Sequence, residues 1–478
     1  MILLKYDDVS WITKYDMDPV GKLFSWNGRI FRKIYNKSKK YVLDIIESDM
    51  FKELVNRHLF VNTWLSDSVT FGDDDIILES EFINCKVYPV NYTIEHVRCI
   101  ACMLLELNNV LIQHGYILAD PHFANILFDG SVPIYIDLGS IVPIDTEGLS
   151  AWYYFLAQYY YPLFFMHIQG KNSFQICRYI VLRNDYSNNN FEDYLYLSYG
   201  NILGKIFVKI EKIKRNKDIF IFNGIYSKTN SYLKNAVKHL IRFFVVNILK
   251  SSKVNYLKKK ISIIRKKINR MHFYYNSQWS DYQDEYSNKV GERFIKISKM
   301  IEPLQISTCL ELAANQGVFC KYLLENNIIK QAVCTDYDTV ALGKGFFKAS
   351  ENNSINKKIT FSYLNIMAMT SGDIEKKCDL IRSDIVVALA VTHHLILTQK
   401  IEINSLFNFF RHCTNRYIIV EFMPLGLWNG ISAPELPEWY NLDWFLKNLK
   451  EYFTIHKVEQ LEKNRIVILG ELYNINRS

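Results

Sequence analysis

The last third of the chain carries the pattern that most restricts the fold. From residue 303 onward, apolar runs of strand length alternate with segments of helical periodicity. Such alternation predicts a parallel β-sheet with crossover helices, because each parallel connection has to cross one face of the sheet. The predicted strands are "STCLELA", "QAVCTD", "ITFSYLN", "DIVVALA", "RYIIVEF" and "NRIVILGELY".

The part of the chain before residue 272 has a different pattern. A chain of 478 residues exceeds one ordinary core, so we predict two domains. Residues 1–271 would form an α+β domain, and residues 272–478 would form the α/β domain. In the first domain, short β-like runs predict a β-rich lobe over about 1–92. An amphipathic helix over 93–113 would begin a mostly helical lobe that continues to residue 271.

Composition excludes several classes of protein. With 49% hydrophobic and 22% charged residues, the chain is globular rather than disordered. The nine cysteines follow no disulfide or zinc pattern, which indicates a reducing compartment. The N-terminus has no signal-peptide architecture. The uncharged run 151–166 is short for a bilayer span and contains Gln158 and Pro162, so we predict a buried helix and a cytoplasmic protein.

Positive charge is concentrated in residues 204–270. This block holds 19 Lys or Arg residues against two acidic residues, Glu211 and Asp218. It could bind phosphate, nucleic acid or an anionic membrane surface, or it could be a solvated helical face. Nucleic acid is not an expected partner, because no nucleic-acid motif accompanies the charges. Phosphate, an anionic membrane surface and a solvated face all stay open; binding to a membrane surface would place the protein at its inner face.

The segment "CLELAANQGVFCKYL" predicts a ligand-binding turn. An apolar strand ends there in small residues and leads into a helix. The backbone of such a turn can approach a ligand closely, and the helix N-terminus favours a negative group. The next predicted strand ends in Asp336, 19 residues beyond Gly317, where an acid can accept both hydroxyls of a ribose. These features predict a nucleoside-cofactor crevice, which suits a dinucleotide oxidoreductase or a methyltransferase.

Two further segments favour a methyltransferase. "ITFSYLNI" places Asn365 where an adenine amino group could be recognised, and "SDIVVALAVTHHL" ends a strand with two histidines that open a helix. Methyl transfer to a hydroxyl needs alignment with the methyl donor and a base. His393, His394 and Glu421 are the available bases at this predicted sheet edge, although each histidine could instead have only a packing role.

From about 275 to 478, the chain resembles class I S-adenosylmethionine-dependent methyltransferases, and more narrowly the bacterial nodulation-protein-like group. The resemblance rests on "QWSDYQDEYS", "LELAANQG", "CTDYD", "RSDIVVALAVTHHL" and "IIVEFMP", in the expected order. It implies a Rossmann-type fold and S-adenosylmethionine (SAM) as cofactor. The contacts that it implies are Glu311, Ala313, Asn315 and Gly317 for the methionine part, Asp336 for the ribose, Asn365 for the adenine and Leu389 on the reaction side. Ala313 replaces a usual glycine, and Asn365 replaces a common aspartate.

The stretch "LADPHFANILFDGSVPIYIDLGS" suggests phosphoryl transfer. Asp120, Asn125 and Asp137 have the spacing of the catalytic carboxylate and the two metal ligands of kinases. With a β-rich segment before it and helices after it, the stretch resembles the protein-kinase-like fold of small-molecule and saccharide kinases. The resemblance implies Asp120 as the catalytic residue, Asn125 and Asp137 as Mg²⁺ ligands, and ATP. No glycine-rich loop precedes "KLFSW", so a degenerate kinase is the alternative.

The phosphate-binding cation of such a domain would be either Arg32 or Lys33 in "IFRKIY". Its partner would be Glu47 or Glu53 on the following helix. The same N-terminal arrangement also resembles the nodulation-like methyltransferases themselves.

The combination of both domains resembles bifunctional kinase–methyltransferases that terminate O-antigen chains. It implies a bacterial enzyme of polysaccharide biosynthesis that methylates a hydroxyl or phosphate of a saccharide or glycolipid intermediate, so that its substrate would be a saccharide or phosphosaccharide. The alternative is methylation of a small metabolite or protein, with the first domain a pseudokinase that binds a partner or a membrane.

Overall fold

A computed structural model describes residues 1–12, 18–72, 74–169, 208, 209, 212, 214, 240–273, 276–284, 291–370, 374–428 and 430–473. The chain divides into two units. The first comprises Met1–Asn84, Val97–Leu127 and Pro133–Phe273, and the second comprises Cys85–His96, Phe128–Val132 and Tyr274–Ser478. The main break lies beside the predicted boundary, but two short segments of the predicted first domain belong to the second unit.

The first unit begins with β-structure. Its first strands are β1 (Ile2–Leu3), β2 (Ser10–Trp11), β3 (Gly21–Trp26), β4 (Arg29–Ile34), β5 (Thr63–Leu65), β6 (Val69–Thr70) and β7 (Ile77–Ser80). Five of them form an antiparallel sheet ordered β2-β3-β4-β7-β5, while β1 pairs with β6. Asn27 and Gly28 join β3 to β4 with φ angles of 49° and 73°, the left-handed turn that an Asn-Gly pair favours. Phe24 and Phe31 stack across this hairpin and are fully buried.

Helices follow the sheet. They are α1 (Lys39–Ile46), α2 (Asp49–Asn56), α3 (Ile94–Gln113), α4 (Ile144–Phe155), α5 (Tyr161–Gln169) and α6 (Leu240–Asn269). The strands among them are β8 (Tyr116–Leu118), β9 (Ile126–Asp129), β10 (Val132–Tyr135) and β11 (Ile141–Pro143). Strands β9 and β10 form a hairpin, and β8 pairs antiparallel with β11. The predicted helix over 93–113 and the predicted hairpin after Asn125 are therefore confirmed.

The uncharged run 151–166 is helical and mostly buried, as predicted. It lies in α4 and α5, which a π-helical turn at Leu156–Tyr160 joins. A search of the described helices finds none that combines the length and apolar character needed to cross a membrane.

Most of the basic block predicted at 204–270 lies outside the described residues, as do the side chains of 240–252. In the described remainder, the buried side chain of Lys253 pairs with Asp145 at 2.8 Å. Arg265 forms an ion pair with Glu106. These two cations therefore take part in the packing of the first unit.

The second unit contains one seven-stranded sheet. Its strands are β12 (Thr308–Leu312), β13 (Gln331–Asp336), β14 (Ile359–Tyr363), β15 (Ser383–Ala388), β16 (Thr414–Phe422), β17 (Phe453–Glu462) and β18 (Arg465–Leu472). Their order is β14-β13-β12-β15-β16-β18-β17. Strands β12 to β16 are parallel, as predicted, while β18 runs antiparallel to both of its neighbours. The strand order reverses at β12, and ligands bind beside the carboxyl ends of strands at such a switch point.

Helices cover the second sheet. They are α7 (Glu292–Ile301), α8 (Val318–Glu325), α9 (Thr339–Ser350), α10 (Ile366–Met369), α11 (Ile374–Cys378), α12 (Ile403–Cys413) and α13 (Leu442–Leu449). The central strands are buried on both faces, with Leu310, Val386 and Ile418 fully enclosed. Burial on both faces explains why these strands appear in the sequence as continuous apolar runs.

The edge strand β17 is absent from the sequence predictions. Its first residue, Phe453, is fully buried, but the side chains after it are exposed or half-buried. An edge strand of this kind carries no apolar run, so its sequence resembles a polar loop.

The edge of the sheet at β14 is covered by the two short segments from the first half of the chain. The Ser131 backbone N–H donates to the Asn356 carbonyl at 2.6 Å, and the Ser131 hydroxyl donates to the Ile359 carbonyl at 2.6 Å. The Asn91 side-chain amide donates to the Tyr363 carbonyl at 2.8 Å. These bonds satisfy carbonyl groups that an open edge strand would leave unpaired.

Aromatic packing accompanies these bonds. The His96 ring stacks on Phe346 with centroids 3.9 Å apart and lies parallel to Tyr92 at 5.4 Å. Phe128 meets the rings of Tyr92 and His96 edge to face. The two segments are thus part of the hydrophobic core of the second unit.

Candidate active site

The loop after β12, residues 313–317, lies where the sequence predicts a cofactor turn, and it is called the cofactor loop below. Ala313, Asn315 and Gly317 all have left-handed backbone, with φ of 53°, 54° and 70°. A Cβ atom on Gly317 would lie 2.9 Å from the Cys334 sulfur and from the Phe361 ring. The loop is therefore sharply folded against β13 before α8 begins.

Asp336 ends β13 beside this loop. Its Oδ2 accepts the Asn315 backbone N–H at 2.7 Å, and its Oδ1 accepts the Asp338 backbone N–H at 2.7 Å. Burial raises the pKa of Asp336 to about 6, against the opposing effect of these two hydrogen bonds. Each carboxylate oxygen keeps a lone pair for a further donor, such as a ribose hydroxyl.

Residues near Asp336 form an open surface at the ends of β13 and β14. Tyr337 is 61% exposed, and its ring lies 5.9 Å from that of Tyr363. The side-chain oxygen of Asn365 accepts the Met367 backbone N–H at 3.1 Å, so Asn365 caps the short helix α10. An exposed aromatic ring next to a ribose-binding carboxylate is suited to pack against a nucleobase.

Glu311 lies underneath the cofactor loop. Its Oε2 accepts the Cys320 backbone N–H at 3.3 Å, and burial raises its pKa to about 7. The carboxyl group is therefore held against helix α8.

Residues 276–284, called the strap below, run along the cofactor loop. The Asn315 side-chain amide donates to the Trp279 carbonyl at 2.7 Å. The Gln283 side-chain oxygen accepts the backbone N–H groups of Gln316 at 3.1 Å and of Val318 at 3.5 Å. Further bonds join Gln316 to the Ser280 carbonyl and to Asp284. The strap thereby fixes the shape of the cofactor loop.

The strap also reaches the opposite side of the crevice. The Trp279 ring lies 5.4 Å from His394 and 5.9 Å from Tyr282. The Tyr282 hydroxyl accepts from Arg465 Nη2 at 3.5 Å. Arg465 Nη1 donates to Glu421 Oε2 at 2.8 Å, and the same oxygen accepts the Ala390 backbone N–H at 2.7 Å. These contacts form a closed ring of side chains at the carboxyl ends of β15 and β16.

The two histidines differ in their surroundings. His393 is buried, and this burial, together with the charges of His394 and Arg465, lowers its pKa to about 3. A neutral imidazole with so low a pKa is a poor general base. His394 is less enclosed, and burial lowers its pKa below the ordinary value. His394 is therefore the better placed of the two to act on an acceptor.

Glu421 is fully buried at the end of β16. Besides Arg465 and the Ala390 N–H, it faces Arg293, whose Nη1 lies 3.7 Å from Oε1. Ala390 has left-handed backbone with φ of 52°, and the bond from Glu421 holds it in that conformation. Leu389, one residue earlier, is buried. These contacts favour a positioning role for Glu421, in which it orients the turn before His393.

The acidic stretch of the first unit forms a second polar cluster. The Asn125 side-chain amide donates to Asp120 Oδ2 at 3.1 Å. The Asp137 carboxylate accepts the Gly139 backbone N–H at 3.1 Å and the Ser140 hydroxyl. Asp120 and Asn125 are thus in contact, whereas Asp137 is held mainly by its own turn.

Arg32 approaches this cluster from β4. Its Nη1 lies 2.6 Å from Asp18 Oδ2 and 3.3 Å from Asp137 Oδ1. Lys33 instead pairs with Asp75 at 2.5 Å. Of the two cations left open by the sequence, Arg32 is therefore the one at the cluster, and its ion pairs run to Asp18 and Asp137. The predicted partner Glu53 pairs with Arg57 instead.

Several residues of the two sites were not identified from the sequence. Trp279, Tyr282 and Gln283 lie in the "QWSDYQDEYS" segment, which carries the family resemblance but does not indicate their contacts. Tyr337 could have been found, because it directly follows the predicted ribose ligand. Arg465 gave no signal, since its partner Glu421 is 44 residues away on another strand.

Unpaired buried atoms test whether the crevice fits SAM. In the described part of the chain, Asn315 Oδ1, His393 Nδ1 and Glu421 Oε1 are buried without a hydrogen-bond partner. Buried polar atoms are normally paired, so such atoms at a crevice indicate a polar ligand. Asn315 Oδ1 is suited to accept from an ammonium group such as that of the methionine part of SAM. The unpaired acceptor at Asn315 therefore fits the cofactor.

Comparisons with known proteins give weak similarities. No protein-family model matches the chain. Nodulation protein NoeA of Rhizobium meliloti (strain 1021) is 20% identical over 428 residues, which are 85% of this chain and 83% of that protein.

Among solved structures, magnesium protoporphyrin IX methyltransferase (ChlM) from Synechocystis PCC 6803 with bound SAH has a TM-score of 0.30 and 14% identity, over 42% of this chain and 91% of that chain. N-methyltransferase NodS from Bradyrhizobium japonicum WM9 has a TM-score of 0.28 and 13% identity, over 38% of this chain and 94% of that chain. The second unit itself has a Rossmann-type α/β fold, which its own strand order and switch point define.

Proposed function

We propose that the second unit is a SAM-dependent methyltransferase. The observation that carries this proposal is the pairing of the cofactor loop with Asp336. The loop has left-handed backbone at three alternate positions, and the Asp336 carboxylate is hydrogen-bonded to its central residue, Asn315. A folded turn followed by a helix, with an acid at the end of the neighbouring strand, is the arrangement that binds a nucleoside cofactor in α/β sheets.

Residues of this chain would hold each part of the cofactor. Asp336 would accept the ribose hydroxyls, and Tyr337 and Asn365 would lie against the adenine. The cofactor loop and Asn315 would bind the methionine part. When bound, SAM supplies an electrophilic methyl group. The protein would align the acceptor with that group and exclude water. Alignment of two reactants can increase the rate by several orders of magnitude.

The acceptor in this proposal is a hydroxyl or phosphate of a saccharide or glycolipid intermediate. The support for a saccharide is the resemblance to nodulation-like proteins and the ring of side chains at the crevice. In that ring Trp279 and Tyr282 expose large aromatic faces, while Arg465 and His394 supply polar groups. His394 would take the proton of a hydroxyl acceptor, and Glu421 would hold the Ala390 turn and Arg465 in place.

Substitution of Asp336 tests the cofactor assignment. We expect Asp336→Asn to weaken SAM binding by about 10- to 150-fold in calorimetry, since a hydrogen bond to a charged group contributes about 1.5–3 kcal/mol. Asp384→Asn is the matched control. Asp384 also accepts two backbone N–H groups, from Ser307 and Thr308, but near the amino-terminal end of the central strand β15. Equal affinities of both variants and the parent would rule out the assignment.

A second candidate function concerns the first unit, for which we propose binding of Mg-ATP. Its support is the buried Oδ1 of Asp120, which has no hydrogen-bond partner among the described residues. Burial also raises the pKa of Asp120 and of Asp18, because it disfavours their charged forms. A hard divalent cation coordinated by Asp120, Asn125 and Asp137 would stabilise the charged carboxylates, and Arg32 would contact phosphate.

Titration with Mg-ATP tests the second proposal. We expect Asp137→Asn to weaken Mg-ATP binding by about tenfold or more, as expected for loss of a charged ligand. Asp75→Asn, which removes the partner of Lys33 in the same sheet, should leave binding unchanged. A parent protein that binds no nucleotide at millimolar concentration would exclude the proposal and leave the first unit as a scaffold.

A further inference from the structure

A cluster of thiols lies underneath the cofactor loop. Cys309 on β12, Cys320 on α8 and Cys334 on β13 are each 0% exposed, and Glu311 beside them is 3% exposed. The ligand atoms of Glu311, Cys320 and Cys334 all lie within 4.8 Å of one another. The sulfur atoms of Cys320 and Cys309 are 3.9 Å apart. Two sulfur atoms and one carboxylate therefore surround one small volume, and the Cys309 sulfur lies beside Cys320.

The spacing of these atoms suits a tetrahedral metal ion. Two thiolates bound to one Zn²⁺ at about 2.3 Å lie ~3.8 Å apart when the coordination is tetrahedral. The ligand atoms of Glu311, Cys320 and Cys334 all lie within 4.8 Å of one another, close enough to bind one such ion. We propose that Glu311, Cys320 and Cys334 form a binding site for a thiophilic divalent ion such as Zn²⁺, with the Cys309 thiol beside it.

Charge balance supports this assignment. A divalent ion bound by the Cys320 and Cys334 thiolates and the Glu311 carboxylate carries a net charge of −1, while Cys309 stays a neutral thiol. Arg293, whose side chain is mostly buried on α7, interacts electrostatically with Glu311 and offsets that charge. The proton of each thiol that becomes a thiolate ligand passes to the solvent buffer on binding. The buried site therefore does not require an uncompensated charge, which would be costly.

The location of the site links it to the cofactor loop. Glu311 lies two residues before Ala313, and Cys320 lies three residues after Gly317. Cys334 also limits the space at Gly317, where an added Cβ would lie 2.9 Å from its sulfur. An ion at this position would fix both ends of the loop and the strand beneath it. The proposed ion site does not rest on the proposed methyl transfer, since all of its ligand residues are buried beneath the loop.

The alternative is that the thiols only fill space in the core. Hydrogen bonding with Cys320 and burial raise the pKa of Cys309, and burial raises that of Cys334, so both are neutral in the metal-free protein. Buried neutral thiols often behave as small apolar groups. The two interpretations differ in one measurable property, which is retention of a metal ion.

Cadmium titration of the full chain distinguishes them. After removal of metals with a chelator, the parent should bind about one Cd²⁺ per chain, with thiolate-to-cadmium charge-transfer absorption and an increased melting temperature. Cys320→Ser and Glu311→Gln should each weaken binding by at least about tenfold. Cys413→Ser is the control, because Cys413 is also fully buried but lies beside Cys378, away from the cluster.

Two results would overturn the proposal. One is a parent protein that shows no charge-transfer absorption and retains no ion after dialysis. The other is unchanged binding in Cys320→Ser and Glu311→Gln, or loss of binding only in Cys413→Ser. Circular dichroism identifies any variant that fails to fold. If a variant does not fold, cadmium binding by the parent protein decides between the two interpretations.

Discussion

At the scale of single residues, Gly317 is required for two separate reasons. Its φ of 70° is a left-handed conformation that costs other residues free energy, and a Cβ atom would contact Cys334 and Phe361 at 2.9 Å. Ala313 and Asn315 also have left-handed backbone, with φ of 53° and 54°. Asparagine tolerates left-handed backbone better than most residues, which explains its presence at the centre of the loop.

Gly317→Ala should therefore destabilise the protein by about 2–4 kcal/mol, the sum of a left-handed backbone and overpacking. The comparison is Gly430→Ala, since Gly430 also has positive φ, 94°, but has open space around it. That control should cost only about 1 kcal/mol. Urea unfolding of both variants provides the measurement, and equal losses would mean that the contacts with Cys334 and Phe361 are unimportant.

At the scale of secondary-structure elements, the strap combines two roles. It supplies hydrogen-bond acceptors to the cofactor loop, and it carries Trp279 and Tyr282 to the far side of the crevice. The backbone N–H groups of Gln316 and Val318 depend on the single side chain of Gln283. Loss of the strap would leave buried donors of the loop unpaired.

We expect Gln283→Ala to lower the free energy of unfolding by about 1–3 kcal/mol, the usual penalty for unpaired buried donors. SAM affinity should fall with it, since the loop loses its fixed shape. Gln278→Ala changes an exposed glutamine of the same strap and should have no effect. If calorimetry gave the same SAM affinity for Gln283→Ala as for the parent, the strap would have no part in cofactor binding.

The elements also explain which parts of the fold could be predicted. Strands buried on both faces, such as β12 and β15, appear as apolar runs, and Asp336 follows from its place at a strand end. The exposed strand β17 gave no such signal. Contacts between distant residues were also missed, because the sequence does not indicate that Arg465 lies beside Glu421. Arg32 and Lys33 are neighbours on β4, so their side chains point to opposite faces of the sheet. The sequence does not indicate which of these faces lies toward Asp137, so it could not identify Arg32 as the residue at the cluster.

At the scale of the whole molecule, the second unit depends on sequence from the first half of the chain. Residues 85–96 and 128–132 cover the edge strand β14 and pack around Phe346. A fragment of residues 274–478 would expose this edge and the ring of Phe346. Exposed edges of this kind promote association between chains.

Hydrogen exchange can test this dependence. In the fragment 274–478, we expect the amides of β14 to exchange at least about 100-fold faster than in the full chain, because the loss of three hydrogen bonds of about 1 kcal/mol each favours local opening. The amides of β18, which lie between two strands in both proteins, provide the internal comparison. Equal protection of β14 in the fragment and the full chain would contradict the prediction.

The position of Arg465 has a consequence for how the protein is made. The Asn315–Trp279 bond joins residues only 36 apart in sequence, whereas Tyr282 and Arg465 are separated by 183 residues. Chains emerge from the ribosome N-terminus first, and domains fold as their sequence becomes available. The cofactor half of the crevice can therefore form while translation continues. The contact between Tyr282 and Arg465 cannot form until β18 has left the exit tunnel, so the proposed cofactor side would be complete in a nascent chain before the proposed acceptor side.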